Sequence, residues 1–305
     1  MTAPSISSAN PRLTGMLFVL LGALGFSTKA VLIKLAYQYQ PDLSSITLMT
    51  LRMLMALPFF IAIALWKSRE QTEPALGKRD YLAIAALGLC GYYIASFLDF
   101  EGLQYISAGL ERMVLFLYPT LVVLLSAALN KRRIAKVEVV ALLISYAGIT
   151  LFFFDYLGGE QRDLVLGTAL VFGSAVAFAV YFVGSAQVMQ RIGSARFTAL
   201  AMMAASMATV GHFAARHELA ELRQPVEIYV IALLIALIAT VAASILVNAG
   251  IKRVGAGPAA IVTANGPILT LLLAYVFLDE TFTLLQLGGA GLVLYGVYLI
   301  GRRSA

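Results

Sequence analysis

The chain has 305 residues, 61% of them hydrophobic and only 12% charged, where ordinary soluble domains carry roughly 25% charged residues. That composition excludes a soluble enzyme or a string of soluble domains and points to an integral membrane protein. The formal charge of +6 does not indicate nucleic acid, because the basic residues cluster in alternate loops, which is how orientation in a bilayer is set.

Segments of about 20 apolar residues, each long enough to cross ~30 Å of hydrocarbon, recur ten times. They fall at about 13–36, 43–66, 81–100, 107–129, 135–154, 164–189, 196–215, 226–250, 257–278 and 283–300, with short connections. The first eleven residues, rich in Ser, Ala and Pro, are expected to be disordered. Span one carries Gly15, Gly22, Gly25 and Lys29, and it lacks a small-residue cleavage site, so it reads as a retained span and not a leader. Arg52 lies in span two. Span three holds the only cysteine, Cys90, which rules out a disulfide framework within the chain, and it is expected to end near Asp99 and Glu101. Span four carries Glu111 and Arg112, then Tyr118 and Pro119. Span seven ends with His212 and His217, which have no cysteine or His-x-x-His company for a metal. Span eight carries Thr240, Ser244 and Asn248 at intervals of four, which places them on one helix face. Span nine carries Asn265 and Pro267, and span ten is rich in glycine, which suits packing on span five or on a second subunit.

The ten spans divide into two repeats, 13–154 and 164–303, after a cytoplasmic N-terminal segment 1–12. Residues 102–128 align without a gap on 250–276 at an offset of 148, with 8 of 27 positions identical, among them Ala108-Gly109 with Ala256-Gly257 and Pro119 with Pro267. At an offset of 152, Gly15, Val19, Ala23, Phe26 and Val31 fall on Gly167, Val171, Ala175, Phe178 and Val183. Five spans per repeat is an odd number, so the second repeat must enter the membrane inverted. The expected fold is therefore all-α, ten transmembrane helices in two inverted five-helix repeats. With the N-terminus inside, 15 basic loop residues are cytoplasmic and 3 are outside, so both termini are assigned to the cytoplasm of a plasma (inner) membrane protein.

The stretches GLQYISAGLERMVLFLYPT and AGPAAIVTANGPILTLLLAYVFLDE, in a ten-span chain, resemble the EamA family of the drug/metabolite transporter superfamily. The resemblance covers nearly the whole chain. It implies two inverted bundles around a central cavity and transport of small metabolites or drugs. The acidic pair typical after these spans is present as Asp279-Glu280 but stands as Lys131-Arg132 in the first half.

Hydrocarbon offers no partner to a charge, so ionisable residues inside spans are the first candidates for function. Lys29, Arg52, Asp99, Glu101, Glu111 and Arg112 share one level near the outer side, three cations balanced by three carboxylates. Their repeat partners, such as Tyr181 for Lys29 and Ala204 for Arg52, are uncharged, which leaves the inner side small and apolar. A polar stripe (Thr240, Ser244, Asn248), its partners Tyr92 and Ser96, and Tyr118 and Asn265 beside the helix-opening Pro119 and Pro267 complete the candidate binding and gating set. No catalytic motif, Walker loop, metal site or cofactor motif occurs, so the chain is not read as an enzyme and needs no cofactor. Its partners are expected to be the lipid bilayer and a small-molecule substrate, with no nucleic acid; whether it is a monomer or homodimer stays open. The reading is a secondary active or exchange transporter that exports neutral or aromatic amino acids by alternating access. An organophosphate or nucleotide-sugar exchanger, a cationic-drug exporter and, last, a membrane-embedded enzyme are the alternatives.

Overall fold

The structure, a computed structural model, describes residues 11–69, 76–129, 131, 133–154, 163–254 and 266–304. The regular secondary structure among those residues is all helical, with no strand, because a backbone crossing lipid must satisfy its own hydrogen bonds. Eight helices are long and apolar enough to cross a membrane, and two shorter apolar helices, Gly266–Leu278 and Leu284–Leu299, follow at the positions expected for spans nine and ten. Span one begins at Pro11, inside the segment expected to be disordered, and runs to Tyr39. Span two is Ser45–Arg69, span five Lys136–Phe154, span six Leu164–Ile192 and span seven Ser194–Arg216.

Span three is longer than its apolar run. It covers Lys78–Tyr105, so Asp99 and Glu101 lie within the helix and not at its end. A π-helical segment, Leu89–Ile94, interrupts it, and another, Ile235–Ala242, interrupts span eight between Val226–Leu234 and Ala243–Val254. The repeat offset carries the first π segment onto the second. Span four is broken. One helix, Ala108–Leu115, ends where Pro119 cannot donate to the Leu115 carbonyl, and Phe116 and Leu117 form the turn before a second helix at Tyr118–Leu129. Lys131 and Asp279, repeat equivalents just beyond spans four and nine, both take a left-handed backbone, with φ of 49° and 54°. That conformation is uncommon away from glycine, and its recurrence marks the same helix-ending turn in both repeats.

The repeats pack on each other in four helix pairs, and glycines seat all but the pairing of span two with span seven. Span one packs on span eight, span three on span six, span two on span seven and span five on span ten. A Cβ on Gly102 would lie 2.5 Å from Val171 Cγ2 and 3.0 Å from the Gly167 carbonyl oxygen. Its repeat image, Gly250, meets Val19 Cγ2 and the Gly15 carbonyl in the same way. Gly148 and Gly289 face one another so closely that a Cβ on either would lie 2.5 Å from the other's carbonyl oxygen. Small residues let backbones approach until dispersion contacts hold the helices, which matters in a solvent as apolar as the side chains. Gly289 and Gly296 of span ten thus face span five.

Candidate functional site

Five of the six charges expected at one level do converge, on spans one to four. Lys29 pairs with Asp99 at 2.6 Å, the carboxylate being 1% exposed. Glu111, one turn into span four, is 0% exposed. It is enclosed by protein and does not line a mouth. Its neighbour Arg112 approaches it at 3.9 Å and donates from Nη2 to the Phe26 carbonyl at 3.2 Å. Asp99 and Lys29 are further electrostatic neighbours of Glu111. Arg52 is 4% exposed, with its guanidinium 5.0 Å from the centre of the Phe100 ring. Nε of Arg112, and Nε and Nη2 of Arg52, are buried without a hydrogen-bonding protein partner, and the buried Glu111 carboxyl lies against that of Asp99. Groups of this kind are costly unless something completes them.

Glu101 is elsewhere. One residue past Phe100, it turns away from the cluster and accepts from the Ser45 hydroxyl at the start of span two. It lines a separate cavity of about 440 Å³, with Asp42, Phe97, His212 and His217 among the walls. The expected balance of three cations and three carboxylates therefore becomes three and two. The histidines are engaged singly, His212 Nδ1 with the Tyr93 hydroxyl at 2.9 Å and His217 Nδ1 with Glu221 at 2.7 Å. The second contact holds the Glu221 carboxyl below its usual range. Among the described residues no group of three metal-ligating side chains forms.

Below the break in span four, the second candidate group forms an aromatic nest. Tyr118 meets Phe178 at 5.2 Å and Phe182 at 5.4 Å between ring centres, and the Tyr92 and Tyr181 hydroxyls share a hydrogen bond of 2.8 Å. Tyr181 also leans on Phe197. The level expected to be small and apolar is therefore aromatic. Arg112 acts electrostatically on Tyr118, so the nest and the charged cluster adjoin through span four. Ser96 is half-buried on span three and joins neither group. The span-eight stripe is consumed locally. Thr240, inside the π segment, donates to the Ile235 carbonyl at 2.9 Å, and Ser244 donates to Val241 at 2.9 Å. The side chain of Asn248 and the whole of Asn265 lie outside the described residues. Pro267 is buried at the start of the span-nine helix, where a proline costs no hydrogen bond.

One feature of the site escaped the sequence reading. At the turn between spans three and four, Lys34 of span one donates to the Leu103 and Ile106 carbonyls at 2.9 and 2.8 Å. Glu280, from the loop after span nine, accepts from the Ala108 and Gly109 amides at 2.8 and 3.1 Å. A cation thus sits on the end of one helix and an anion on the start of the next, each opposite the helix dipole it meets. Burial pushes the Glu280 carboxyl above its usual range, and the two amides and Lys34 offset part of that. The Asp279-Glu280 pair was the available signal, but nothing in sequence links it to residues 108 and 109.

The EamA-like transporter family matches residues 13–154 and 165–302. The chain belongs to that family. It is 30% identical over 303 residues to the uncharacterized transporter YcbK of Bacillus subtilis, covering 97% of this chain and 95% of that one. An uncharacterized transporter of Synechocystis is 27% identical over 314 residues, covering 96% of this chain and 94% of its own. A crystal structure covering 96% of this chain and 99% of its own superposes with a TM-score of 0.66 at 19% identity, a likeness of fold. This EamA-like chain is a multi-pass membrane transporter, and the family membership agrees with the absence of catalytic motifs in its sequence.

Proposed function

We propose that the protein is a secondary active or exchange transporter that exports small zwitterionic metabolites, neutral and aromatic amino acids first, by alternating access. The observation that carries this reading is the enclosed cluster of Lys29, Arg52, Asp99, Glu111 and Arg112, adjoining the Tyr118–Phe178–Tyr181 nest. Charges of both signs suit the two ends of an amino acid, and ring faces suit its side chain. The break in span four, between Arg112 and Tyr118, supplies a joint at which the two groups can move relative to one another. Apolar pockets separate ligands differing by one methylene by only about 1–3 kcal/mol, so selectivity among neutral amino acids should be broad. The basic loops favour a plasma (inner) membrane protein with both termini in the cytoplasm. The excess of cations over carboxylates in the cluster favours a second reading, an organophosphate or nucleotide-sugar exchanger.

Counterflow in proteoliposomes separates the two. Methionine, threonine and the aromatic amino acids should exchange and compete with each other, and sugar phosphates should not. Rapid exchange of phosphate esters without neutral amino acids would put the second reading in place of the first.

A further inference from the structure

The buried charges are not equivalent once their partners are taken one by one. Asp99 is held by Lys29 at 2.6 Å. Arg112 has the Phe26 carbonyl and the adjacent Glu111. Arg52 has neither a hydrogen bond nor an ion pair among the described residues, although its side chain is 4% exposed. Its electrostatic partner is Asp99, which Lys29 already occupies. The Phe100 ring covers one face of the guanidinium. A ring face satisfies the π surface of an arginine and leaves its in-plane N–H groups wanting acceptors.

The two orphaned nitrogens are Nε and Nη2. These lie along one edge of the guanidinium and point their N–H bonds the same way, the arrangement that engages both oxygens of a carboxylate at once. Three cations, Lys29, Arg52 and Arg112, stand beside two carboxyl groups, Asp99 and Glu111, so the ligand that completes Arg52 is an anion.

We infer that Arg52 is the anchor for a carboxylate on the transported molecule, and that this carboxylate is what admits a solute to the site. The inference rests on the zwitterion reading above but is narrower. It makes the acid group indispensable, and it leaves Glu111 to accept from the ammonium group where there is one.

Thermal unfolding of the purified full-length protein in detergent, titrated with four probes, tests it. The probes are methionine, methionine methyl ester, 4-(methylthio)butanoate and glycerol 3-phosphate. Methionine and the amine-free acid should raise the unfolding temperature and the ester should not. Arg52→Gln should weaken binding of both acids by at least about tenfold, or 1.4 kcal/mol. Arg52→Lys should fall between, since it keeps the charge and loses the fork. If the ester binds the wild-type protein as tightly as the acid, or if none of the four binds it, the inference is overturned, whatever the folding of the variants. It is equally overturned if Arg52→Gln binds the acids with wild-type affinity. Binding of glycerol 3-phosphate alone would overturn both the inference and the zwitterion reading. If the amine-free acid binds through Arg52 while proteoliposomes exchange no amino acid, the anchor stands and the zwitterion reading falls.

Discussion

Glu111 and Arg112 are neighbours in sequence, and on an α-helix neighbours point about 100° apart. That is why their ion pair is long, at 3.9 Å, and why each side chain is committed to a different element, Arg112 to the Phe26 carbonyl and Glu111 to the Lys29–Asp99 pair. Removing one member of a desolvated set strands the others, at a cost of roughly 3–5 kcal/mol. Glu111→Gln and Arg112→Gln should therefore each depress transport sharply while the protein still reaches the membrane, as counterflow and membrane-fraction blots would register. Wild-type exchange by both variants would remove the cluster from the mechanism. Intramembrane charges announce themselves in a sequence because lipid cannot solvate them, so Lys29, Asp99, Glu111 and Arg112 were legible. Which partner each takes was not. Glu101 is only two residues from Asp99 yet turns to Ser45, because a helix swings successive side chains around its axis. Thr240 shows a related failure. Spacing of four marks one face only while the helix keeps 3.6 residues per turn, and the π segment at Ile235–Ala242 widens the turn there.

At the scale of helices, close approach and end-capping do most of the positioning. The Gly148–Gly289 seam leaves no room for a methyl group, since the atom it would strike is a backbone oxygen 2.5 Å away. Gly148→Ala should cost about 1–3 kcal/mol through forced separation of spans five and ten, read as a lower unfolding temperature in detergent. Gly291→Ala, on the same span ten but with nothing within 4 Å of the added carbon, should be neutral or stabilising. Equal losses for the two would show that the seam is not a stability determinant. The Glu280 contact on Ala108 and Gly109 is a joint of another kind, because it ties the second repeat to the half-helix that carries Glu111 and Arg112. Burial raises the docked carboxyl above its free value, so the docked state binds a proton more tightly than the undocked one. Raising the pH on that face through the carboxylate range should therefore weaken docking, and lowering it should strengthen docking. A single cysteine at Ala108, in a Cys90→Ala background, should label faster as pH rises, after allowance for thiolate formation. Glu280→Gln should abolish the docking-dependent part, and an unchanged pH profile in that variant would dismiss the device.

Over the whole molecule, symmetry governs. The contacts of Gly102 with Val171 and of Gly250 with Val19, the paired π segments, and the left-handed turns at Lys131 and Asp279 are each one arrangement written twice. The ten spans and their pairing into repeats were readable because hydrophobic length and the shared Ala-Gly and Pro positions survive in sequence. The seams between repeats were not readable, since a glycine face does not name the helix it meets. Orientation remains a matter of loop charge. Single cysteines at Glu218 and Arg133, both exposed, should differ in intact cells, with the impermeant reagent reaching Glu218→Cys alone. The reverse would invert the assignment of inside and outside.

The seams also dictate the order in which the protein can be assembled. Span one closes on span eight, span two on span seven, span three on span six and span five on span ten. Each of these marriages is between repeats. While the ribosome is still making the second repeat, the glycine faces of the first have only lipid against them, and the fifth span waits for the last helix of the chain. A lone first repeat should then be a substrate for membrane quality control. Two fragments, cut between Phe154 and Leu164 and synthesised together, should find one another and restore transport, because the four described seams join helices of the two repeats.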